Sequence, residues 1–240
     1  LKFESYYSSS SSNLYCVTAG NGKRILIECG ATWKKTEKAL SYDLTNIVGC
    51  LISHEHKDHS RAIEDVLTAQ IDVYASAGTL EALFVEHRNA HVIRGKQPFT
   101  IADTFDVFPF DVTHDAVEPL GFVIKDRFCN EYMLFVTDTS VIKQKFGIAF
   151  SVIAICCSYD GAVLREREAS GDCNGDLAKR LLTSHMERNV TKAYIKECCC
   201  LDKCTEIHLL HMSGNNIDKE KTRAEFEKEF MTTTYVAGGR

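Results

Sequence analysis

The apolar positions of this chain fall into two patterns that alternate along its length. Continuous apolar runs of strand length stand at Ile47–Ile52 within "NIVGCLIS" and at Ser151–Cys157, "SVIAICC". Runs without polar alternation mark strands buried on both faces. Helical spacing predicts four further elements: "SRAIEDVLTA" with Ser60 as its N-cap, a helix near Gly78–Phe84, a stretch from Asp176 to about Cys199, and the charged "DKEKTRAEFEKEF". "LYCVTAGNGKRILIEC" (14–29) reads as two strands joined by the turn Gly20-Asn21-Gly22. More strands are predicted at Ile71–Tyr74, around Phe105–Val112, Leu120–Lys125 and Tyr132–Thr137, at "EIHLLH" and at the terminal "TTTYVAG", with Pro98 in a loop.

Strand-rich stretches with interspersed helices predict sheets with helices packed outside them. No internal repeat and no linker of Pro, Gly or charge divides the chain, so one domain over residues 1–240 is expected. The serine run "YYSSSSSN" (6–13) is the one low-complexity stretch, short enough for an ordered loop; as a plain leader it would fray.

Composition narrows the function classes. With 45% hydrophobic residues the 240-residue chain can bury a full core. Its 28 basic and 33 acidic residues, net −5, supply no footprint for clamping a long polyanion. The apolar runs fall well short of the roughly 20 residues of a membrane span, and no charged-then-apolar leader is visible. Eleven cysteines, crowded at Cys156-Cys157 and in "CCCLDKC" (198–204), are read as reduced thiols in a cytoplasm. The second cluster lacks the further Cys or Cys/His pair that a structural zinc site needs.

"SHEHKDHSRAI" (53–63) is the densest metal-binding stretch, and it begins where a buried strand ends. His54, Glu55, His56, Lys57, Asp58 and His59 follow the pattern H-x-H-x-D-H. Alternate residues leaving a strand point the same way, so His54 and His56 can grip one ion, while Asp58 and His59, beyond the turn, are placed for a second. Imidazole and carboxylate suit zinc, manganese or iron. Two metals without disulfide or cofactor chemistry imply hydrolysis, with the ions about 3.5 to 4 Å apart activating water and clamping the oxygens of an ester.

The pattern resembles the metallo-β-lactamase superfamily, and the match runs beyond the hexapeptide. "ILIECG" is similar to the family's first motif, with Glu28 where Asp is usual. His114 in "DVTHDAVEPLGF", Asp138 in "FVTDTS" and His211 in "HLLHMSGNN" are similar to the third, fourth and fifth. The resemblance implies an α/β fold, an αββα sandwich of two mixed sheets with helices outside. It implies that His54, His56 and His114 hold one divalent ion, that Asp58, His59 and His211 hold the other, and that Asp138 bridges them. Zinc is the expected metal and manganese the alternative. His208 lies three residues before His211, and in one strand the two would face opposite ways; the "HMS" context selects His211.

Within the superfamily the chain resembles the YycJ-type branch, related to ribonuclease Z and ribonuclease J. "SSSSSN" is similar to that branch's serine-rich loop, "CCSYDGAVL" to its segment after the bridging aspartate, and "SHMERN" to its "HLSN" helix start. Cys157 replaces a usual glutamate, a change that bears on substrate handling. Bacterial members of this branch resemble DNA nucleases; phage members resemble the anti-Pycsar phosphodiesterases, which hydrolyse cyclic nucleotides such as cyclic CMP and cyclic UMP and silence a bacterial defence. The acidic balance and the lack of a basic stripe or a clamp domain favour the small nucleotide over nucleic acid. Location in a cytoplasm (the host's, for a phage protein), no membrane partner and a homodimer are expected with it.

The resemblance also distributes roles. Asp58 is the expected general base as well as a ligand, and His185 the expected general acid for the leaving ribose oxygen. Glu28 is expected to fix a ligand imidazole by accepting its other N–H. The loop Ser10, Ser11 and Asn13 offers hydroxyls, an amide and backbone N–H groups to a phosphate.

Overall fold

A computed structural model describes residues 1–173 and 175–238, the side chains of 176, 177 and 180 excepted. The chain divides into two compact units, each assembled from separated segments: residues 1–111, 116–132 and 238 in the first, 112–115 and 133–237 in the second.

In the first unit a six-stranded sheet runs in chain order: β1 (Lys2–Ser9), β2 (Ser12–Thr18), β3 (Arg24–Ile27), β4 (Ile47–Leu51), β5 (Val73–Ser76) and β6 (Ala90–Ile93). The serine run is the tip of the β1–β2 hairpin, with Ser9 paired to Ser12. Glycine in the left-handed region at Gly22 (φ 81°) closes the expected β2–β3 turn. From β3 onward the strands are parallel. Helices α1 (Trp33–Ala39), α2 (Lys57–Ser60), α3 (Ile63–Thr68) and α4 (Ala77–Ala82) make the connections. Leu26, Cys50, Ile52, Val66, Leu67 and Val73 are buried together in its core. Three antiparallel strands complete the unit: β7 (Phe99–Ile101), β8 (Phe105–Asp111) and β9 (Leu120–Asp126).

One expected cap is corrected. Ser60 ends α2 instead of starting the next helix, and α3 begins after Ala62. Its hydroxyl donates to the carbonyls of Glu55 (2.9 Å) and His56 (3.0 Å), tying down the histidine-rich turn. The break between α2 and α3 lies inside a stretch whose periodicity is continuous, so the local pattern could not reveal it.

The second unit holds four parallel strands in the order β13-β12-β11-β10: β10 (Glu131–Val136, from Met133), β11 (Val152–Cys156), β12 (Glu206–Leu210) and β13 (Thr233–Val236). Helix α5 (Gly161–Ser170) follows β11, capped by Asp160. The expected helical stretch after residue 175 is two helices, α6 (Gly175–Ser184) and α7 (Arg188–Cys198). Glu187 opens α7 by accepting from the N–H groups of Asn189 and Val190, which leaves His185 in the break. The charged α8 (Lys219–Phe230) starts at Asp218, which accepts from Lys221, and buries Phe226. No helix among the described residues is long and apolar enough to cross a membrane. All eleven cysteines are free thiols.

The carboxylate of Asp126, fully buried at the end of β9, accepts from Gly20 N–H at 2.7 Å and Phe128 N–H at 2.8 Å, with the Cys129 thiol at 2.9 Å. Burial acts to raise its pKa, but these donors outweigh it and hold the carboxyl below its ordinary value. Asp126→Ala strands two backbone donors and is expected to cost about 2–4 kcal/mol in chemical denaturation. Because the folded pKa is depressed, the stabilisation is present above the unfolded aspartate pKa and is lost as pH falls through the folded value.

Candidate metal centre

Each unit gathers part of the expected site at the ends of parallel strands. In the first unit Ile27 of β3 is in register with Leu51 of β4, so Glu28 and the "SHEHKDH" turn leave the sheet at one edge. β2 runs antiparallel to β3 with Tyr15 opposite Ile27, which brings Asn13 to the same edge. Glu28 turns sharply, with φ 63°, and its N–H donates to Leu51 O at 2.8 Å. Gly30 N–H donates to Asn13 O (2.9 Å), and Cys29 N–H to His59 O (2.7 Å).

The side chains converge accordingly. His54 Nδ1 meets Ser53 Oγ at 2.8 Å, and its Nε2 lies 3.1 Å from His56 Nδ1. Two nitrogens sharing a tetrahedral zinc at 2.0–2.1 Å would stand about 3.3 Å apart. The pair therefore fits one divalent ion. His59 Nε2 lies 3.3 Å from Asp58 Oδ2, and its Nδ1 lies 3.5 Å from Glu28 Oε1. Glu28 also accepts from Ser53 N–H at 3.3 Å, so one buried carboxylate touches both arms of the turn.

Asn13 faces inward instead of toward solvent. Its side-chain N–H group donates to the Asp58 carbonyl (3.1 Å) and approaches Asp58 Oδ2 (3.3 Å) and His59 Nε2 (3.0 Å). Tyr15 O–H and Ser9 N–H both donate to its Oδ1 and fix the amide's orientation. Ser10 and Ser11 are exposed at the hairpin tip. Asn13→Ala is expected to weaken divalent-metal affinity about 10–100-fold, the usual effect of losing a group that orients a ligand; competition against a chelating dye measures it.

In the second unit the parallel register performs the same service. Val136 of β10 lies opposite Ile155, and Cys156 of β11 opposite Leu210 of β12. Asp138, Cys156 and His211 therefore emerge at one edge. Asp138 is 4% exposed, with three imidazoles around it. His211 Nδ1 is 3.4 Å and His185 Nδ1 3.6 Å from its Oδ1, and His114 Nε2 is 4.0 Å from its Oδ2. The His185 and His211 rings stack at 5.1 Å with 7° between planes. His211 follows β12 in a left-handed turn, φ 53°. His208 stays within β12, bonded to Glu206 at 2.9 Å and stacked on Tyr235.

His114 Nδ1 bonds the Ser184 carbonyl at 2.9 Å, which requires its proton there and leaves Nε2 as the lone-pair atom. Burial lowers the His114 pKa despite Asp138 and Asp115, favouring the neutral imidazole that a metal takes. For His185 burial also acts downward, but the Asp138 carboxylate and the Cys156 thiol outweigh it and push the imidazole up to about 10.

Cys157 is fully buried, and burial pushes its thiol up. It is Cys156 that meets the site: its Sγ, an Asp138 oxygen and a His185 nitrogen lie within 4.8 Å of one another. A strand buried on both faces carries no polar alternation to reveal this orientation. The cysteines at 198–204 form no such group with one another.

Each unit carries a strand edge of candidate metal ligands, and the fold is the α/β metallo-β-lactamase fold, two mixed sheets with helices, whose members are hydrolases. Residues 23–198 match the family model for the beta-lactamase superfamily domain, and the chain belongs to the metallo-β-lactamase superfamily. It is 28% identical over 239 residues to the exodeoxyribonuclease YycJ of Bacillus anthracis, covering 93% of this chain and 86% of that protein. A shorter match, 41% over 54 residues and 22% of this chain, is to the anti-Pycsar protein Apyc1 of Bacillus phage 010DV004, of which it covers 21%. Among solved structures, the metallo-beta-lactamase fold protein YhfI from Bacillus subtilis superposes with a TM-score of 0.73 at 17% identity, over 98% of this chain and 93% of that one.

Proposed function

We propose that the protein is a phosphodiesterase that opens cyclic nucleotides with a pair of divalent metal ions, zinc or manganese. The observation that carries this reading is that each unit brings a set of candidate ligands to a strand edge: His54, His56, Asp58 and His59 in the first, and His114, Asp138 and His211 in the second. In this reading His54, His56 and His114 hold one ion, Asp58, His59 and His211 the other, and Asp138 both. When bound, the ions supply Lewis acidity for the phosphoryl oxygens and an activated water.

The protein's own groups do the rest. Asp58 accepts the proton of the attacking water, and His185 donates one to the leaving ribose oxygen. Glu28 keeps His59 oriented. His114 stays in the tautomer that its bond to the Ser184 carbonyl selects.

A small cyclic substrate is favoured by the net charge of −5 and by the local match to Apyc1. The match to YycJ over 93% of the chain favours the second reading, a DNA exonuclease using the same chemistry. We extend the first reading to a homodimer working in a cytoplasm, that of the host for a phage-encoded chain, where it would silence a cyclic-nucleotide signal.

One panel with manganese or zinc separates the readings: 3′,5′-cyclic CMP, UMP, AMP and GMP beside 5′-phosphorylated single- and double-stranded DNA, with Asp58→Ala as the blank. Ring opening with intact DNA supports the cyclic-nucleotide enzyme. Degraded DNA with untouched cyclic nucleotides establishes the exonuclease instead. Sizing chromatography tests the dimer.

A further inference from the structure

We propose that Asp138, Cys156 and His185 form an inhibitory site for a soft divalent cation, zinc or cadmium, sharing Asp138 with the hydrolytic centre. The inhibitory half of this inference rests on the function proposed above; the binding half does not. All three residues belong to the second unit, and their donor atoms lie within 4.8 Å of one another. They are 4%, 0% and 9% exposed, so each is at least nine-tenths buried.

The chemistry of the group is specific. Thiolate, imidazole and carboxylate together are the donor set of zinc sites, whereas manganese and magnesium prefer oxygen. His185 Nδ1 is buried without a hydrogen-bond partner and lies 3.6 Å from Asp138 Oδ1. Two ligand atoms of one tetrahedral zinc stand about 3.4 Å apart, so this gap accepts an ion. A buried polar atom without a partner is uncommon and calls for a ligand.

Cys156 is held in place for the role. Its carbonyl accepts the Thr191 hydroxyl at 2.8 Å, and its sulfur sits 3.1 Å from Ser158 Oγ. On binding, the Cys156 thiol proton and the proton on His185 Nδ1 both pass to solvent, and the thiolate and Asp138 carboxylate together balance the two positive charges. The His185 nitrogen that takes the ion carries no proton. A metal-bound neutral imidazole is a far weaker acid than imidazolium, so the leaving oxygen loses its donor and hydrolysis stops. Manganese, the harder ion, leaves this site alone; zinc or cadmium beyond what the hydrolytic centre takes up closes it.

The test uses the full chain loaded with manganese. Titration with zinc or cadmium is expected to inhibit cyclic-nucleotide hydrolysis, and Cys156→Ser to raise the inhibitory concentration roughly tenfold or more. In parallel, cobalt(II) is titrated into the metal-free chain and the near-ultraviolet sulfur-to-cobalt charge-transfer absorption is recorded. The band is expected in the parent and in Cys157→Ser. It should persist when Cys198, Cys199, Cys200 and Cys204 are all serine. Cys156→Ser and Cys156→Ala should abolish it, and His185→Asn should require more cobalt for it. The serine and asparagine variants break the site from different sides, so a folding defect in one leaves the other decisive. A band unchanged by Cys156→Ser, or no band in the parent, overturns the site. Equal zinc inhibition of parent and Cys156→Ser overturns its inhibitory role. If no phosphodiester is hydrolysed by any form, the proposed function fails while the cobalt spectrum still decides the site.

Discussion

Asp138→Ala is expected to lower hydrolysis of the preferred phosphodiester on the order of a thousandfold or more. The carboxylate is buried beyond the end of β10 and is the acid that faces His114, His185 and His211 together, whereas the half-exposed Asp115 contacts His114, 3.2 Å from its Nε2. On the proposed reading, removing it takes away a ligand and the negative charge that would offset the cations. It also leaves His185 and His211, 5.1 Å apart and stacked, without the anion between their donor atoms. Asp138→Asn preserves the shape but not the charge and should be nearly as inactive, which separates charge loss from a cavity effect. Steady-state kcat/KM on the panel substrates, with metal content measured on the same samples, is the check. Near-parent activity with a full metal complement would remove Asp138 from the centre. Metal loss with nucleotide binding retained, in a parent that hydrolyses nothing, would point to a binding protein.

Gly30→Ala should be as damaging, through sterics alone. A Cβ built at Gly30 would lie 1.6 Å from the Asp58 carbonyl oxygen and 2.7 Å from His59 N. Both obstacles are backbone, so no rotamer change relieves them. The α2 turn must move, and with it Asp58, His59 and the hydrogen bonds that Cys29 and Asn13 make to it. The expected cost is about 3 kcal/mol, at the upper end of overpacking, with loss of metal affinity beyond what the melting shift explains. Gly147→Ala, where nothing lies within 4 Å of the new carbon, is the matched control and should be within about 0.5 kcal/mol of the parent. Parallel melting and metal-binding curves for the two variants decide it; a Gly30→Ala chain that melts and binds like the control would show that the turn is not rigid.

Most strands were visible in the sequence because burial on both faces leaves a continuous apolar signature: β4 and β11 coincide with "NIVGCLIS" and "SVIAICC". β12, β13 and α8 also lie where their patterns put them. The edge strands β1, β6 and β7 were not legible. Only one residue of β1 and two of the other strands are fully apolar and buried, so little alternation marks them. Periodicity from Asp176 to Cys199 did not mark the junction of α6 and α7; the likeness of "SHMERN" to a helix start did point to it, and the capping bonds of Glu187 define it.

The superfamily was legible in residue type and order: imidazoles and carboxylates packed into six residues after a buried strand, with His114, Asp138 and His211 spaced behind them as candidate ligands. Residue type and order suffice to name candidate ligands, because metal preference follows from donor atoms. Which neighbours contact those candidate ligands followed from tertiary packing. Register across parallel strands put Cys156, and not Cys157, beside Asp138 and His185, and left His208 bonded to Glu206 while His211 reached Asp138. The hairpin turned Asn13 inward onto Asp58 and His59, more than forty residues away in the chain. Such pairings depend on long-range strand register, which no local window of sequence carries.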